Sequence, residues 1–244
     1  MAVSFVAAGA IIGTVTLPQL DIVAPALAVD DIMIAQINAK DNQVWTAPSG
    51  WTKFVEVNNT TAQRCTLAWK RAVIGDSGAT FSFTVPVDNN ITYQGLITAW
   101  RGAVATGSPL DATAATTSAN ASSDTVTYAD FDPAETAAWV VAVGFYNEDL
   151  TTAGTISGTN PTLSLNDDQE SPTGTDASIF TYSGSGDGTA TGARSHSTTS
   201  MADAINVGVL FGMIAAIVLG HPTARRWGGI PHMAGQVGHH GGIW

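Results

Sequence analysis

The chain has 244 residues, enough for one large domain or two small ones with a sizeable buried core. Only 12% of the residues are charged, and the formal net charge of −11 argues against nucleic-acid binding, which needs clustered Lys and Arg side chains. The single cysteine, Cys65, excludes an intramolecular disulfide. Because few residues are charged, most of the polar character comes from Thr, Ser, Asn and Gly, which favour strands and turns.

Apolar residues alternate with polar residues through the first half of the chain, which predicts half-buried strands. In the segment 64–71, for example, Cys65, Leu67 and Trp69 share one face, so we interpret Cys65 as a small core residue and not as a nucleophile. The predicted strands of this half are 2–8, 11–17, 31–38, 51–57, 64–71, 79–85 and 93–100.

The second half continues the pattern with predicted strands at 125–128, 138–146, 177–182 and 205–215. The segments 93–100 and 138–146 are more uniformly apolar than the alternating segments, which is typical of central strands buried on both faces. Two stretches rich in Thr, Ser, Gly and Ala are expected to be surface loops, at 111–123 and 183–200. About eleven strands without an amphipathic helix predict an all-β fold, an antiparallel two-sheet β-sandwich of jelly-roll type.

Two apolar segments resemble membrane signals. The N-terminal segment has no Lys or Arg before it, so we expect no secretory signal. The segment 205–219 contains two glycines and falls short of the roughly 20 residues that a spanning helix needs. We expect a buried strand there and no membrane span.

The closing 24 residues differ in character from the rest of the chain. No carboxylate side chain follows Asp203, so this segment is cationic while the preceding chain is acidic. A Gly-rich segment without periodicity does not fold alone, yet its Trp, Ile and Met side chains are costly to leave in water. We predict a sandwich domain at 1–219 and an extended docking tail at 220–244 that binds another protein. The predicted docking residues are Arg225, Arg226, Trp227, Ile230, His232, Met233, Ile243 and Trp244.

The sequence gives little support for an enzyme. We expect His196 to be a solvated loop residue, and neither it nor Ser195 lies in a recognisable nucleophile motif. Carboxylates cluster at 130–135 and 167–170, where a glycosidase pair, a calcium site and solvated turns are the alternatives, with solvated turns favoured. The spacing of the tail histidines matches no closed zinc site. We therefore expect no catalytic residue, no metal and no cofactor.

Aromatic residues suggest a second function. Sandwich domains that hold sugars use exposed aromatic rings as flat platforms. Core packing is the alternative for each of these side chains. The candidate platform residues are Trp45, Trp51, Tyr93 and Tyr146.

Six segments in the first 111 residues resemble a recurrent family of sandwich proteins encoded by tailed phages. They are Val3-Ser-Phe-Val-Ala-Ala-Gly9, Asp30-Asp-Ile-Met-Ile34, Ala47-Pro-Ser-Gly-Trp-Thr52, Ala68-Trp-Lys-Arg71 and Ala99-Trp-Arg-Gly102 with Ser108-Pro-Leu-Asp111. Members of this family occur as virion surface, fibre or decoration components. The resemblance brings no catalytic residues with it.

The expected function is therefore that of a non-enzymatic virion structural protein, made in a host cytoplasm and assembled into the particle as a capsid-decoration or tail-associated component. Its expected partners are other virion proteins and copies of itself. The alternative is a carbohydrate-binding module that attaches to a glycan of the host surface.

Overall fold

The computed structural model describes residues 2–14, 18–40, 42–59, 63–84, 92–111, 116–120, 125–134, 138–147, 154–170, 177–197 and 205–216. Throughout these residues the regular structure is β-strand, with no helix, so the predicted all-β class is confirmed. The strands are β1 (Ser4–Ala8), β2 (Ile12–Thr14), β3 (Gln19–Val23), β4 (Ile32–Ala39), β5 (Thr52–Asn59), β6 (Gln63–Arg71), β7 (Thr80–Thr84), β8 (Tyr93–Arg101), β9 (Thr116–Asn120), β10 (Thr125–Tyr128), β11 (Ala138–Tyr146), β12 (Ser164–Glu170), β13 (Ser178–Ser185), β14 (Arg194–Ser197) and β15 (Asn206–Ile214).

These strands form two large antiparallel sheets and two strand pairs. One large sheet has the order β1-β8-β4-β6-β5, with β2 also paired to β8, and the other has the order β12-β13-β11-β15-β9. The two remaining pairs are β3-β7 and β10-β14. The arrangement is consistent with a β-sandwich.

Three apolar layers hold these sheets together. The central layer lies between the two large sheets and joins Ile34, Leu67 and Trp100 of the first to Val143 and Phe211 of the second. A second layer lies between the first large sheet and the pair β3-β7. A third lies between the second large sheet and the pair β10-β14. Both faces of each large sheet are thus covered, which explains why β4, β8, β11 and β15 are apolar almost throughout.

The two halves of the chain repeat one topology. In the first half the nested antiparallel pairs are β1 with β8, β3 with β7 and β4 with β6, with β5 beside β6 at the sheet edge. In the second half they are β9 with β15, β10 with β14 and β11 with β13, with β12 beside β13. Each half is therefore a large sheet covered on its outer face by one strand pair.

The halves face each other in the manner of a symmetric dimer. Edge strand β5 of the first half lies against β9, the first strand of the second half. Reciprocally, Gln169 on edge strand β12 donates to Gly9 O (3.0 Å) and accepts from Ile11 N (2.6 Å), next to the first strands. This reciprocity is the hallmark of a two-fold contact, here made within one chain.

Each of the eleven predicted strand segments overlaps an observed strand, but the prediction lacks four further strands of the described residues. The segments predicted as surface loops contain β9 and β14, and the acidic segment at 167–170 lies on β12. The fourth is β3, at Gln19–Val23, between the predicted segments 11–17 and 31–38. These strands are short or polar, so their own periodicity is weak, and they form by backbone pairing with β7, β10, β13 and β15.

The apolar segment near the C-terminus is strand β15, which lies between β11 and β9. In the part of the chain that the structure describes, no helix is long and apolar enough to cross a membrane. The predicted tail, including all its docking residues, lies outside the described residues.

Candidate functional site

The described residues 2–216 are called the body, and they end two residues after strand β15. Ala216 N donates to Gly102 O (2.8 Å), and Val104 N donates to Ile214 O (3.0 Å), so the segment after β8 pairs with the last described residues. Gly102 has a φ of 92° and lies so close to Ala2 that an added Cβ would be 2.2 Å from Ala2 O. The described chain therefore begins and ends at the same end of the body, beside Gly102.

An ion pair between the half-exposed Arg101 and the buried Asp31 fixes this end of the sheet. Arg101 Nε donates to Asp31 Oδ1 (2.8 Å) and Arg101 Nη2 to Asp31 Oδ2 (2.7 Å), while Asp31 Oδ2 also accepts from Ala28 N (2.8 Å). The hydrogen bonds and charge of Asp31 raise the pKa of Arg101. The bidentate geometry ties β8 to the segment that leads into β4.

The second half contains a buried hydrogen-bonded cluster centred on His196, which sequence analysis placed wrongly in solvent. His196 lies on β14, is fully buried, and packs against the rings of Tyr146, Phe180 and Tyr182 at centroid distances of 5.0–5.9 Å. Its side chain points inward because β14 pairs with β10 as the cover of the second large sheet. We name His196, Tyr146, Tyr182 and Gly154 the histidine cluster.

The hydrogen bonds of the histidine cluster define the state of the ring. Gly154 N–H donates to His196 Nε2 (3.0 Å), so this nitrogen carries the lone pair and the proton of the neutral ring is on Nδ1. Nδ1 lies 3.3 Å from Tyr146 Oη, and the Tyr146 hydroxyl donates to His196 O (3.3 Å). Tyr182 Oη lies 2.9 Å from both Nε2 and Gly154 O. The neutral ring is thus within hydrogen-bond distance of polar groups from β11 (Tyr146), β13 (Tyr182) and the segment before β12 (Gly154).

Burial lowers the pKa of His196 to about 4. It also raises the pKa of Tyr128 and Tyr182, so the neighbouring hydroxyl groups carry no charge that would stabilise an imidazolium. A neutral ring with no exposed surface has no contact with a solute. The histidine cluster therefore acts as a structural hydrogen-bond centre that holds β14 on the sheet.

The four candidate glycan-platform residues are interior side chains. Trp45 packs edge-on against Tyr93 at 5.0 Å, Trp51 against Phe83 at 5.3 Å, and Tyr146 belongs to the histidine cluster. All four are buried, so none presents a flat face to solvent. The reason is the outer strand pairs, which cover the sheet faces from which these rings project.

The candidate carboxylates lie at two separate places. Asp130 accepts from Thr191 Oγ1 at 3.4 Å in the segment after β10. Asp167 and Asp168 lie on edge strand β12, where both Asp167 oxygens accept from Gln169 Nε2 (3.0–3.2 Å) and burial raises the Asp167 pKa. Among the described residues, no three His, Cys, Asp or Glu side chains are grouped to hold a metal ion.

Cys65 is a core residue, as its strand pattern predicts. Its side chain is fully buried in the central layer, and Sγ lies 3.6 Å from Asn38 Oδ1. Burial raises its pKa well above the ordinary value, so little reactive thiolate is present. We expect iodoacetamide at pH 8 to leave Cys65 unmodified in the native protein and to modify it fully in denaturant, as read by intact mass. Rapid labelling of the native protein would contradict this burial.

Comparisons of this chain with protein-family models, with curated proteins and with solved structures find no match.

Proposed function

We propose that this chain is a non-enzymatic virion structural protein of a tailed phage, a capsid-decoration or tail-associated component that docks through its C-terminal tail. The body would face solvent and the tail would bind another virion protein. The resemblance of the first 111 residues to phage sandwich proteins supports the class. Its segments fall on β1, β4 and β6, in the turn before β5 and at the end of β8.

The observation that carries the proposal is the contrast between the body and the tail. Residues 1–216 contain seven Lys and Arg against twenty Asp and Glu, a formal charge of −13, whereas the remaining residues contain two Arg and no carboxylate side chain. The body has complete apolar layers of its own. A cationic segment with Trp and Ile side chains that begins at the edge of such a body is suited to bind a second surface.

We also propose that the sandwich is of jelly-roll type, with one such unit in each half of the chain. Nested antiparallel pairing supports this. In each half the first strand pairs with the last, and the pairs β3-β7 and β4-β6 (β10-β14 and β11-β13 in the second half) lie within it in sequence. Paired winding of this kind is how jelly rolls close a long antiparallel ribbon into two layers.

Deletion of residues 221–244 tests the docking role. We expect the truncated protein to remain folded, because the last residue in the described apolar layers is Ala215, but to be absent from purified particles of the phage that encodes it. The measurement is the amount of this protein per particle by quantitative mass spectrometry, with the thermal unfolding of the purified variant as the control for folding. Particles that contain the truncated protein at the normal level would rule out the docking tail.

The carbohydrate-binding alternative stays a prediction without support from the site. Its four aromatic residues are buried, so a glycan would need a different surface.

A further inference from the structure

We propose that an exposed apolar patch beside the departure point of the tail is where the C-terminal segment of the same chain lies before the protein meets its partner. The patch consists of Val29, Val73 and Ile74. Its occupant would be the apolar part of the tail around Trp227 and Ile230. This inference rests on the proposed function, since it describes how the docking segment is held in the free protein.

The patch is the most exposed apolar surface among the described side chains. Ile74 is 91% exposed, Val73 55% and Val29 51%. The two segments that carry them are hydrogen-bonded together, because Asp30 N donates to Ala72 O (3.0 Å) and Ala72 N to Asp31 O (2.8 Å). Single exposed apolar residues are ordinary, but adjoining ones mark a contact surface.

The turn that presents the patch is rigidly built. Asp76 N donates to Val73 O (3.1 Å), and Asp76 Oδ2 accepts from Val73 N (2.8 Å) and from the ammonium group of Lys70. The Lys70 ammonium also lies 4.9 Å from the centre of the Phe81 ring. These hydrogen bonds fix the backbone from Lys70 to Asp76. The exposed position of the Ile74 side chain is therefore set by a hydrogen-bonded turn.

Hydrogen bonds connect the patch to the departure point of the tail. Arg71 Nη2, just before the patch, donates to Val104 O (2.7 Å), and Val104 N in turn donates to Ile214 O (3.0 Å) at the end of β15. In the first large sheet, only β4 lies between β6 and β8, so the C-terminal ends of β6 and β8 are roughly 10 Å apart. The patch therefore lies at the same end of the first large sheet as the last described residues.

The length and chemistry of the tail fit this occupant. Ten residues separate Ala216 from Trp227, and an extended chain spans up to about 3.3 Å per residue, which is more than enough. Arg225 and Arg226 precede Trp227, and the exposed carboxylate of Asp30 adjoins Val29. An apolar contact flanked by opposite charges is thus available within one chain, where the effective concentration is high.

Trypsin cleavage of the isolated protein tests the inference, because Arg225 and Arg226 are the only tryptic sites after Arg194. We expect Ile74→Glu to speed cleavage at these sites about tenfold by removing the apolar contact. Ile230→Ser should give the same acceleration, and the double variant should cleave no faster than either single variant. Ile74 is exposed, so the substitution leaves the fold intact.

Val44→Glu is the matched control, since Val44 is 45% exposed and lies near the bridge between Thr46 and Thr84, at the opposite end of β7 from the patch. It should cleave at the wild-type rate. Wild-type cleavage in Ile74→Glu, or equal acceleration in Val44→Glu, would overturn the inference. A cleavage rate of the wild-type protein that falls with protein concentration would also overturn it, because the tail would then lie on a second copy. The proposed function fails separately, in the particle assay.

Discussion

Acidification from pH 7 to pH 4 is expected to reduce the free energy of unfolding by about 3 kcal/mol through His196 alone. Burial lowers the pKa of this histidine from 6.5 to about 4. Between these two pH values the unfolded chain binds a proton that the folded protein does not bind. The stabilisation of the folded protein that depends on a neutral His196 is therefore fully present above pH 6.5. It decreases as the pH falls from 6.5 towards 4 and changes no further below pH 4.

The histidine cluster supplies the physical reason for this loss. A proton on Nε2 would turn the acceptor of the Gly154 N–H into a donor, so that hydrogen bond would be lost. The surrounding Tyr and Phe rings offer no negative charge to the imidazolium. We expect β14 and the segment at Gly154 to loosen first, because both are held by this ring.

Urea unfolding at several pH values measures the effect, with His196→Phe as the comparison. The topology makes Phe a reasonable substitute, since Phe83 on β7 occupies the position in the first half that His196 occupies on β14. The variant should be less stable at pH 7, because Gly154 N loses its acceptor, but should lack the histidine part of the pH dependence. Equal pH dependence of the two proteins, or an NMR titration of the His196 ring near pH 6.5, would refute the assignment.

Gly208→Ala is expected to destabilise the protein by about 3 kcal/mol. Gly208 lies on β15 under the strand pair β10-β14, and an added Cβ would be 2.5 Å from Thr127 O and 2.6 Å from Val126 Cγ1. The first of these atoms belongs to the backbone, so relief requires β10 to move away from the sheet. The apolar layer beneath β10 would then lose its close packing.

The repeated topology provides the matched comparison for this substitution. Gly95 on β8 lies under β3 as Gly208 lies under β10, but the nearest backbone atom to its added Cβ would be Gln36 O at 3.0 Å, and its closest contacts would be the side-chain ends of Ile22 (2.7 Å) and Leu20 (2.9 Å). These ends can rotate, so Gly95→Ala should cost only about 1 kcal/mol. Urea denaturation of both variants gives the two values. A Gly208 variant as stable as the wild type would show that β10 does not approach the sheet this closely.

Strand prediction succeeded where the side chains themselves carry the pattern. Alternating segments such as β6 and uniformly apolar ones such as β11 are each long enough to be recognised. Strands β9 and β14 consist almost entirely of Thr, Ser, Asn, Arg and His, which are equally typical of loops. They are strands because neighbouring strands β15 and β10 offer them backbone hydrogen bonds, and this cannot be read from their own residues.

The environment of individual side chains was harder to predict than the strands. His196 was expected in solvent because its neighbours in sequence are small and polar, yet the cover strand turns it inward onto three aromatic rings. Trp45 and Tyr93 were assigned either to the core or to a sugar platform, and only the strand pair β3-β7 decides for the core. In both cases a distant segment determines burial.

The all-β class, the burial of Cys65 and the contrast between the acidic residues 1–216 and the cationic segment after them follow from composition, periodicity and charge, which are properties of the chain alone. The pairing of strands, the two repeated halves and the histidine cluster emerge only when the chain is folded. These depend on contacts between residues far apart in sequence, such as His196 with Tyr146 or Gln169 with Gly9. Local pattern shows which residues avoid water, whereas long-range pairing determines which residues they meet.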